Sequence, residues 1–356
     1  GEYPLRLVLE TPTGEVTTAL RPTPGALAAA RTLQLASCLT VLRAPGRLHT
    51  VLQVTRGADD RARRTWRLRH LREDVTHALR LRPLWRQRLV RALTGVAFRS
   101  PVWLLGERRD TAQDNSAVLF EHLRTHRPDI RAYYLLDRSS PHYARLKALG
   151  RVLPHSGLRH RLLMLHAAVL VNSYDINAYM LPRGWDKALY LQHLAWRIGS
   201  RRVFLQHGVT YNDVSSALRK SVTGVDLLTA TSELEATAMR STLGYRQEVA
   251  VTGFPRYDRL IRGPVGRRVL IMPTWRSYLV KPSYREEGDV PTGFANSPYA
   301  AFWRTLLSDP GLLDLLDRTG TTLELFGHYE IVDVLRDLAP EHPRVVVSHH
   351  GTRSVQ

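Results

Sequence analysis

The chain of 356 residues is long enough to bury a large hydrophobic core in two or three domains. Lysine and arginine (51 residues) outnumber aspartate and glutamate (32), and the formal net charge of +19 favours phosphorylated substrates, anionic membranes or nucleic acid as partners. A single cysteine, Cys38, excludes an internal disulfide and a cysteine-based metal cluster, and no apolar run reaches the roughly 18–20 residues of a membrane-spanning helix.

Residues 1–60 are predicted to form a small β-rich segment. Three stretches of alternating or apolar residues, YPLRLVLE, EVTTAL and LHTVLQV, are separated by the turn sequences TPTG, RPTPG and RAPG. Short strands joined by such turns are typical of a small accessory sheet or of the end of a larger domain.

Residues 61–99 are predicted to form a basic amphipathic helical linker. Between residues 61 and 93 there are eleven arginines but only two acidic residues, Glu73 and Asp74. Pro83 is expected to break the helix, and apolar side chains recur at helical spacing, namely Trp66, Leu68, Leu71, Val75, Leu79 and Trp85. Basic helices with tryptophan often lie on anionic membrane surfaces. Packing of the apolar side against a neighbouring domain is an equally open interpretation, and a nucleic-acid-binding arm is a third.

From Pro101 onward, strand-like and helix-like segments alternate. A linker rich in glycine, proline and arginine interrupts this alternation at residues 262–268. Strands that alternate with helices predict parallel sheets covered by helices. The predicted fold class is therefore α/β, with two Rossmann-like domains at residues 100–262 and 263–356. Helices are predicted at residues 115–126, 142–149, 158–166, 233–243, 301–316 and 330–338.

In the sequence VFLQHG, a predicted strand is followed at once by residues that are candidates for catalysis and substrate binding. Parallel strands bind ligands beyond their carboxyl ends, which is where Gln206, His207 and Gly208 lie. His207 titrates near neutrality and is a candidate proton acceptor, and Gly208 permits a tight turn close to a ligand. A structural histidine remains the alternative, because the chain has 15 histidines.

The sequence GFPRYD follows a later predicted strand and contains Arg256 and Asp258. Arginine and the first turn of a helix both favour phosphate, so Arg256 is a candidate for phosphate binding, and Asp258 is a further candidate for substrate binding. The alternative is that Arg256 pairs locally with Asp258, while Pro255 only begins the helix.

The second domain supplies a further set of candidates. The sequence MPTWR ends its first strand, and Thr274 and Arg276 are expected to bind the phosphates of a substrate. His328 ends the next strand at the same edge of the sheet and is a second candidate for catalysis. The sequence contains no P-loop, GxGxxG, HExxH or metal-ligand motif, so no cofactor is predicted.

The order QHG, TGFPRYD and MPTWR resembles the CDP-glycerol glycerophosphotransferase family, which includes teichoic acid primases and polymerases. The resemblance runs from Val102 to the end of the chain and includes GERRDTAQDNSAVLFEHL, YYLLD and AAVLVNS. It implies a GT-B arrangement of two Rossmann-like domains. It also implies transfer of glycerol phosphate from a CDP-glycerol donor to a lipid-linked glycerophosphate or glycan acceptor, with release of CMP. His207 would accept the proton, while Arg276 and His328 would serve the donor phosphates.

The same resemblance predicts a peripheral protein on the cytoplasmic face of the membrane, which favours the basic helix as an anchor on an anionic membrane surface. No nucleic-acid partner is expected. Two features depart from the family: GHYE replaces a His-Pro pair at His328, and a later Asp-Tyr-Ser-Ser type motif does not occur. The absence of that motif suggests a truncated second domain, and Gly1 as the first residue suggests that the sequence is a fragment. CDP-ribitol, a nucleotide sugar donor and a non-catalytic scaffold at the membrane remain alternatives.

Overall fold

The structure, a computed structural model, describes residues 2–11, 14–35, 37–44, 50–98, 100–210, 213–260, 266–273, 294–327 and 338–349. The chain divides into two compact units, Gly1–Leu260 and Ile261–Gln356. Parallel sheets flanked by helices form the centre of each unit, so the predicted α/β class is confirmed. The GT-B arrangement of the two units stays a prediction.

Two small antiparallel sheets begin the first unit. The strands are β1 (Glu2–Pro4), β2 (Arg6–Thr11), β3 (Gly14–Ala19), β4 (Leu33–Leu35), β5 (Cys38–Arg43) and β6 (Val51–Val54). One sheet has the order β1-β6-β5-β4, and β2 pairs with β3. Between them, Thr23 and Pro24 begin a short helix, α1 (Pro24–Ala29), in which the Thr23 hydroxyl accepts a hydrogen bond from Ala26 N at 3.2 Å.

Two basic helices follow, α2 (Asp60–Leu79) and α3 (Trp85–Thr94). The Asp59 carboxylate caps α2 by accepting a hydrogen bond from Ala62 N at 2.7 Å, and Pro83 lies in the break between the helices as expected. The buried Trp66 on α2 packs with Leu39 and Val41 of β5 and with Trp196 from the following α/β region. The helices therefore pack as part of the first unit.

A parallel sheet of seven strands forms the centre of the first unit. Its strands are β7 (Val102–Gly106), β8 (Arg131–Leu136), β9 (Val152–Pro154), β10 (Ala167–Asn172), β11 (Arg201–Phe204), β12 (Leu227–Ala230) and β13 (Val249–Val251). The order in the sheet is β13-β12-β11-β10-β7-β8-β9. The chain runs outward from β7 in one direction and from β10 in the other, so a topological switch point lies between these two strands.

Helices cover both faces of this sheet. Leu104, Leu135 and Leu170 face one hydrophobic cluster, whereas Leu105 and Val171 face the other, as expected for successive residues of a strand that is buried on both sides. The helices are α4 (Asn115–His126), α5 (Tyr143–Ala148), α6 (Leu158–Met164), α7 (Ile176–Met180), α8 (Lys187–Tyr190), α9 (Trp196–Ile198), α10 (Ser215–Leu218), α11 (Lys220–Thr223) and α12 (Glu233–Thr242). A π-helical turn spans Leu191–Ala195, and 3₁₀ turns span Gly95–Ala97 and Pro255–Arg259.

The second unit has a parallel three-stranded sheet in its described residues. The strands are β14 (Arg268–Ile271), β15 (Thr322–Gly327) and β16 (Val345–His349), in this order, and the helices are α13 (Pro298–Leu307) and α14 (Pro310–Thr319). The prediction of one helix over residues 301–316 is wrong. Pro310 cannot continue a helix, and the Asp309 carboxylate caps the new one by accepting a hydrogen bond from Leu312 N at 2.8 Å. The predicted helix at 330–338 lies outside the described residues, except for residue 338.

Candidate functional site

The candidate site lies at the switch point of the seven-stranded sheet. Three chain segments meet there, at the carboxyl ends of β7, β10 and β11. They bring His207, Tyr174 and the first turn of α4 together, and Arg256 joins them from the 3₁₀ turn after β13. His207 and Arg256, which the sequence placed after two separate strands, therefore share one site.

The surroundings of His207 fix its tautomer. Its Nδ1 lies 3.2 Å from the carbonyl oxygen of Ser173, and because a carbonyl can only accept, Nδ1 carries the hydrogen and Nε2 carries the free lone pair. The imidazole stacks on the Tyr174 ring, with 4.3 Å between centroids and 13° between planes. The ring is therefore oriented with Nε2 as its proton-accepting atom.

Several groups determine the charge of His207. Residue 207 is exposed, yet protein packed around the imidazole lowers its pKa by desolvation, and the cations of Arg108 and Arg256 lower it further. The Ser173 carbonyl and the Asp114 carboxylate oppose this shift. Since the pKa lies below its ordinary value, the imidazole is neutral at pH 7 and can act as a base.

Gln206 positions this histidine from inside the protein. Its side chain is buried, its Nε2 donates to the carbonyl oxygen of Thr229 at 2.5 Å, and its Oε1 accepts from the Thr210 hydroxyl at 2.7 Å. These bonds give Gln206 a positioning role, and its predicted contact with substrate stays a prediction. Gln206 also has φ of 59°, so the left-handed residue of this turn is Gln206.

Gly208 lies next to open space beside His207. A Cβ added there would meet no atom of the described residues within 4 Å. A ligand can approach the main chain at this point, so the predicted substrate-binding role of Gly208 stays a prediction that the geometry permits.

Arg256 holds the turn formed by Gln206, His207 and Gly208, called here the histidine turn, against α4. Its Nη1 donates to the Asp114 carboxylate at 2.9 Å and to the carbonyl oxygen of His207 at 2.8 Å, while its backbone N–H donates to Asn115 Oδ1 at 3.1 Å. The alternative of a local pair with Asp258 is not what the structure shows, because Asp114 is the acidic partner. Asp258 is exposed, and its role in binding substrate stays a prediction.

Buried Glu107 supports the same helix end. Its carboxylate accepts hydrogen bonds from the backbone N–H groups of Gln113, Asp114 and Ala117 at 2.9–3.0 Å. Burial raises the pKa of Glu107 from 4.5 to about 7, with a smaller contribution from the Asp114 carboxylate. The carboxyl group thus holds the loop that places Asp114 beside Arg256.

We expect Glu107 to make folding stability fall with rising pH. Its folded-state pKa of about 7 exceeds the ordinary 4.5, so the folded protein binds more protons between these values. The stabilisation is present below pH 4.5 and is lost as pH rises through 7, at about 1.4 kcal/mol per pKa unit. The free energy of unfolding, measured with urea at pH 5 and pH 8, tests this. Glu107→Gln should reduce the difference between the two values. If the difference is the same in the variant, other groups cause it.

The sequence prediction missed Asp114, Asn115, Ser173 and Tyr174 as site residues. The stretch GERRDTAQDNSAVLFEHL was noticed, but an Asp-Asn pair before a helix indicates only a cap. Tyr174 is an ordinary aromatic residue until the fold stacks it on His207. The predicted residues Thr274, Arg276 and His328 lie outside the described residues.

The described residues contain neither a candidate metal site nor a candidate membrane-spanning helix. No group of three or more histidine, cysteine, aspartate or glutamate side chains in that part of the chain is arranged to hold a metal ion. No helix found there combines the length and the apolar character that crossing a membrane requires.

Comparison with known proteins identifies relatives of this chain. GgaB, a minor teichoic acid biosynthesis protein of Bacillus subtilis (strain 168), is 28% identical over 254 residues, which are 70% of this chain and 28% of GgaB, so the chain spans little more than a quarter of that relative. A variant of the wall teichoic acid polymerase TagF matches 80% of this chain and 70% of its own, at 12% identity and a TM-score of 0.44. Anabaena HepE in complex with UDP matches 70% of this chain and 69% of its own, at 13% identity and a TM-score of 0.37.

A family model described as CDP-glycerol:poly(glycerophosphate) glycerophosphotransferase matches residues 90–349. The matched segment begins on α3 and includes the seven-stranded sheet, the histidine turn and all described strands of the second unit. The resemblance that the ordered motifs indicated is thereby confirmed. Because the match covers nearly three quarters of the chain, the chain belongs to the CDP-glycerol:poly(glycerophosphate) glycerophosphotransferase family.

Proposed function

We propose that this protein transfers glycerol phosphate from CDP-glycerol to a hydroxyl group of a lipid-linked glycerophosphate or glycan acceptor and releases CMP. The observation that carries the proposal is the neutral His207, whose Nε2 is left free by the hydrogen bond from Nδ1 to Ser173 at the switch point of the sheet. Membership of a glycerophosphotransferase family supplies the donor and the reaction class. The reaction belongs to the synthesis of teichoic acid or a related cell-surface polymer.

In this proposal His207 Nε2 accepts the proton of the acceptor hydroxyl as that oxygen attacks the phosphorus atom that carries glycerol. A new P–O bond forms to the acceptor, the P–O bond to CMP breaks, and CMP leaves with the bonding electron pair. Phosphoryl transfer depends chiefly on positioning and on stabilising charge. Arg108, exposed and 5.0 Å from the Tyr174 ring centroid, supplies positive charge beside His207. Arg276 and His328 are proposed to serve the donor phosphates, with Thr274 beside them.

Release of CMP from CDP-glycerol in the presence of a lipid-linked acceptor tests this function. Parallel reactions with CDP-ribitol and with nucleotide sugars identify the donor, since the residues described at the site do not distinguish glycerol from ribitol. A non-catalytic scaffold would release no CMP from any of these donors, whereas transfer from CDP-ribitol alone would replace the proposed donor.

We also propose that the basic helix α2 rests on an anionic membrane at the cytoplasmic face. Leu68, Leu71, Val75 and Leu79 recur at helical spacing, and their exposed fractions are 59%, 42%, 42% and 80%. Exposed arginines accompany this stripe on the same helix, namely Arg61, Arg64, Arg67 and Arg72. Apolar side chains surrounded by cations are the pattern of interfacial helices that bind anionic lipid.

Replacing two leucines of the stripe is expected to weaken membrane binding. Leu71→Asp/Leu79→Asp should lower the fraction that co-sediments with phosphatidylglycerol vesicles by about tenfold or more, because each buried leucine contributes about 1.5–3 kcal/mol and aspartate repels anionic lipid. Leu158→Asp/Leu234→Asp is the matched control, since those leucines are 88% and 84% exposed on α6 and α12. Equal losses in both variants would argue against α2 as the anchor.

A further inference from the structure

A cationic cavity lies away from the histidine turn, where α2, β5, α3 and the π-helical turn meet. Its volume is about 350 Å³, which lies within the range of small-ligand pockets. Seven arginines line it, and Glu73 is the only carboxylate among its described lining residues. Most of its wall precedes residue 90, where the family match begins, so the cavity is largely built from residues outside that match.

The acidic groups in and beneath this cavity, Glu73 in its lining and the buried Asp74 next to it in the chain, are already paired. Asp74 accepts hydrogen bonds from Arg88 Nε at 2.7 Å and from Arg197 Nε at 2.8 Å. Glu73 forms ion pairs with Arg197 at 3.1 Å and with Arg43 at 3.3 Å. Arg88 and Arg197 are almost fully buried, with side chains 6% and 3% exposed. These pairs form a rigid floor in which each carboxylate serves more than one arginine.

The mouth of the cavity carries cations without an acidic partner. Arg72, Arg80 and Arg82 line it with exposed side chains, and within the described part of the chain none of the three guanidinium groups forms an ion pair or a side-chain hydrogen bond. A guanidinium group presents a planar set of donors that matches phosphate oxygens. Three such groups above a floor already rich in arginine leave an excess of positive charge that an anion would neutralise.

Two histidines in the wall are neutral, because burial lowers the pKa of each ring and the nearby arginines lower it further. His77 Nε2 donates to the carbonyl oxygen of Pro83 at 2.8 Å, so its Nδ1 accepts from Arg88 Nη1 at 2.5 Å. Burial lowers the pKa of His193 to about 4, and His77 and the cations of Arg88, Arg197 and Arg82 lower it further. Both ring nitrogens of His77 are engaged within the protein, so it is the neutral ring of His193 that can donate an N–H group to an anion, while the arginines offset the negative charge.

The π-helical turn Leu191–Ala195 gives the cavity its far wall. It presents Gln192 and His193 to the cavity, and Gln192 Nε2 donates to the carbonyl oxygen of Ala44 at 3.2 Å, which ties the turn to the end of β5. π-helical turns are rare and recur at functional sites. The unusual turn and the unpaired arginines are independent observations that meet in one cavity.

We propose that this cavity binds a phosphate-bearing anion, a diphosphate or a phosphodiester, through Arg72, Arg80 and Arg82 at its mouth, at a site separate from the histidine turn. Such a group can come from a lipid headgroup or from a free phosphodiester chain, and the chemistry that recognises it is the same. The inference does not rest on the transferase activity, because anion binding can be measured without turnover.

Titration calorimetry with inorganic pyrophosphate tests the site. The double variant Arg80→Ala/Arg82→Ala should bind pyrophosphate about tenfold more weakly or worse, because each substitution removes charge-assisted hydrogen bonds to phosphate. Both arginines are exposed, so the fold should persist. Arg201→Ala/Arg246→Ala is the matched control: it removes the same charge from exposed positions outside the cavity lining, and it should bind pyrophosphate nearly as the unaltered protein does.

The imidazole NMR signals of His77 and His193 locate the ligand, since an anion in the cavity raises the pKa of both rings and shifts their signals. Monomeric dihexanoyl phosphatidylglycerol and glycerophosphoglycerol then distinguish the sources. Tighter binding of the lipid assigns the cavity to headgroups, and equal binding assigns it to free phosphodiesters. Absence of pyrophosphate binding, equal loss in the two double variants, or unmoved histidine signals would each overturn the proposal.

Discussion

His207→Ala is expected to lower the turnover of CMP release by about 10²–10⁴-fold, the contribution typical of a positioned general base. The fold should be unaffected, because residue 207 lies at the surface and its only side-chain hydrogen bond in the described structure goes to the Ser173 carbonyl. Binding of CDP-glycerol should stay nearly unchanged, since the lost group acts on the acceptor hydroxyl. Single-turnover kinetics and equilibrium binding of the donor measure the two effects separately.

His122→Ala is a matched control for this variant. His122 is also exposed, and its ring stacks on His126 on α4, away from the histidine turn. It should keep activity within about twofold of the unaltered protein, since surface substitutions away from such features usually change little. The assignment of His207 as the base fails if its loss abolishes donor binding while turnover per bound donor is preserved.

Arg256→Ala should have the second largest effect, lowering turnover by about 10–10²-fold. The substitution removes the hydrogen bonds from Nη1 to Asp114 and to the His207 carbonyl. It leaves the mostly buried Asp114 carboxylate without its cation, which costs on the order of 1–3 kcal/mol. Because Nε2 of His207 must lie within about 0.5 Å of its productive position, the released turn loses catalysis.

The kinetic pattern separates this role from phosphate binding. A positioning residue lowers kcat with little change in KM for CDP-glycerol, whereas a direct phosphate ligand raises KM. Arg259→Ala is the control, since Arg259 in the same 3₁₀ turn pairs with Glu121 on α4 and does not contact the His207 turn. A rise in KM with unchanged kcat in Arg256→Ala would instead support the direct phosphate contact that the sequence predicts for Arg256.

The strands of the seven-stranded sheet could be predicted because most are short apolar runs that end abruptly in polar residues or glycine, whereas β4 and β5 were not predicted. The prediction placed His207 and Arg256 correctly after β11 and β13. It could not find their partners, because adjacency in a sheet depends on strand order. β10 lies between β7 and β11, and this order brings Ser173 and Tyr174 of one loop to His207 of another.

Local roles were harder to predict than positions. Gly208 was the residue expected to permit a tight turn, yet the left-handed residue is Gln206, held there by Thr229 and Thr210 through tertiary hydrogen bonds. Such bonds offset the cost of the unusual backbone, of order 1–3 kcal/mol, and they leave no local signal. In the second unit, Pro310 indicates a break between two helices. One continuous helix was predicted instead, because the leucines on both sides of Pro310 recur at helical spacing.

The brace formed by Arg256 has a consequence for the order in which the protein becomes competent. Asp114 and Arg256 are separated by 142 positions, and the 3₁₀ turn that carries Arg256 follows β13 at the edge of the sheet. Closing so long a loop is slow compared with forming α4 or the neighbouring strand pairs. A nascent chain therefore presents His207 before it can hold it in place. We expect this support for the His207 turn to form only when β13, the edge strand that precedes the Arg256 turn, has docked.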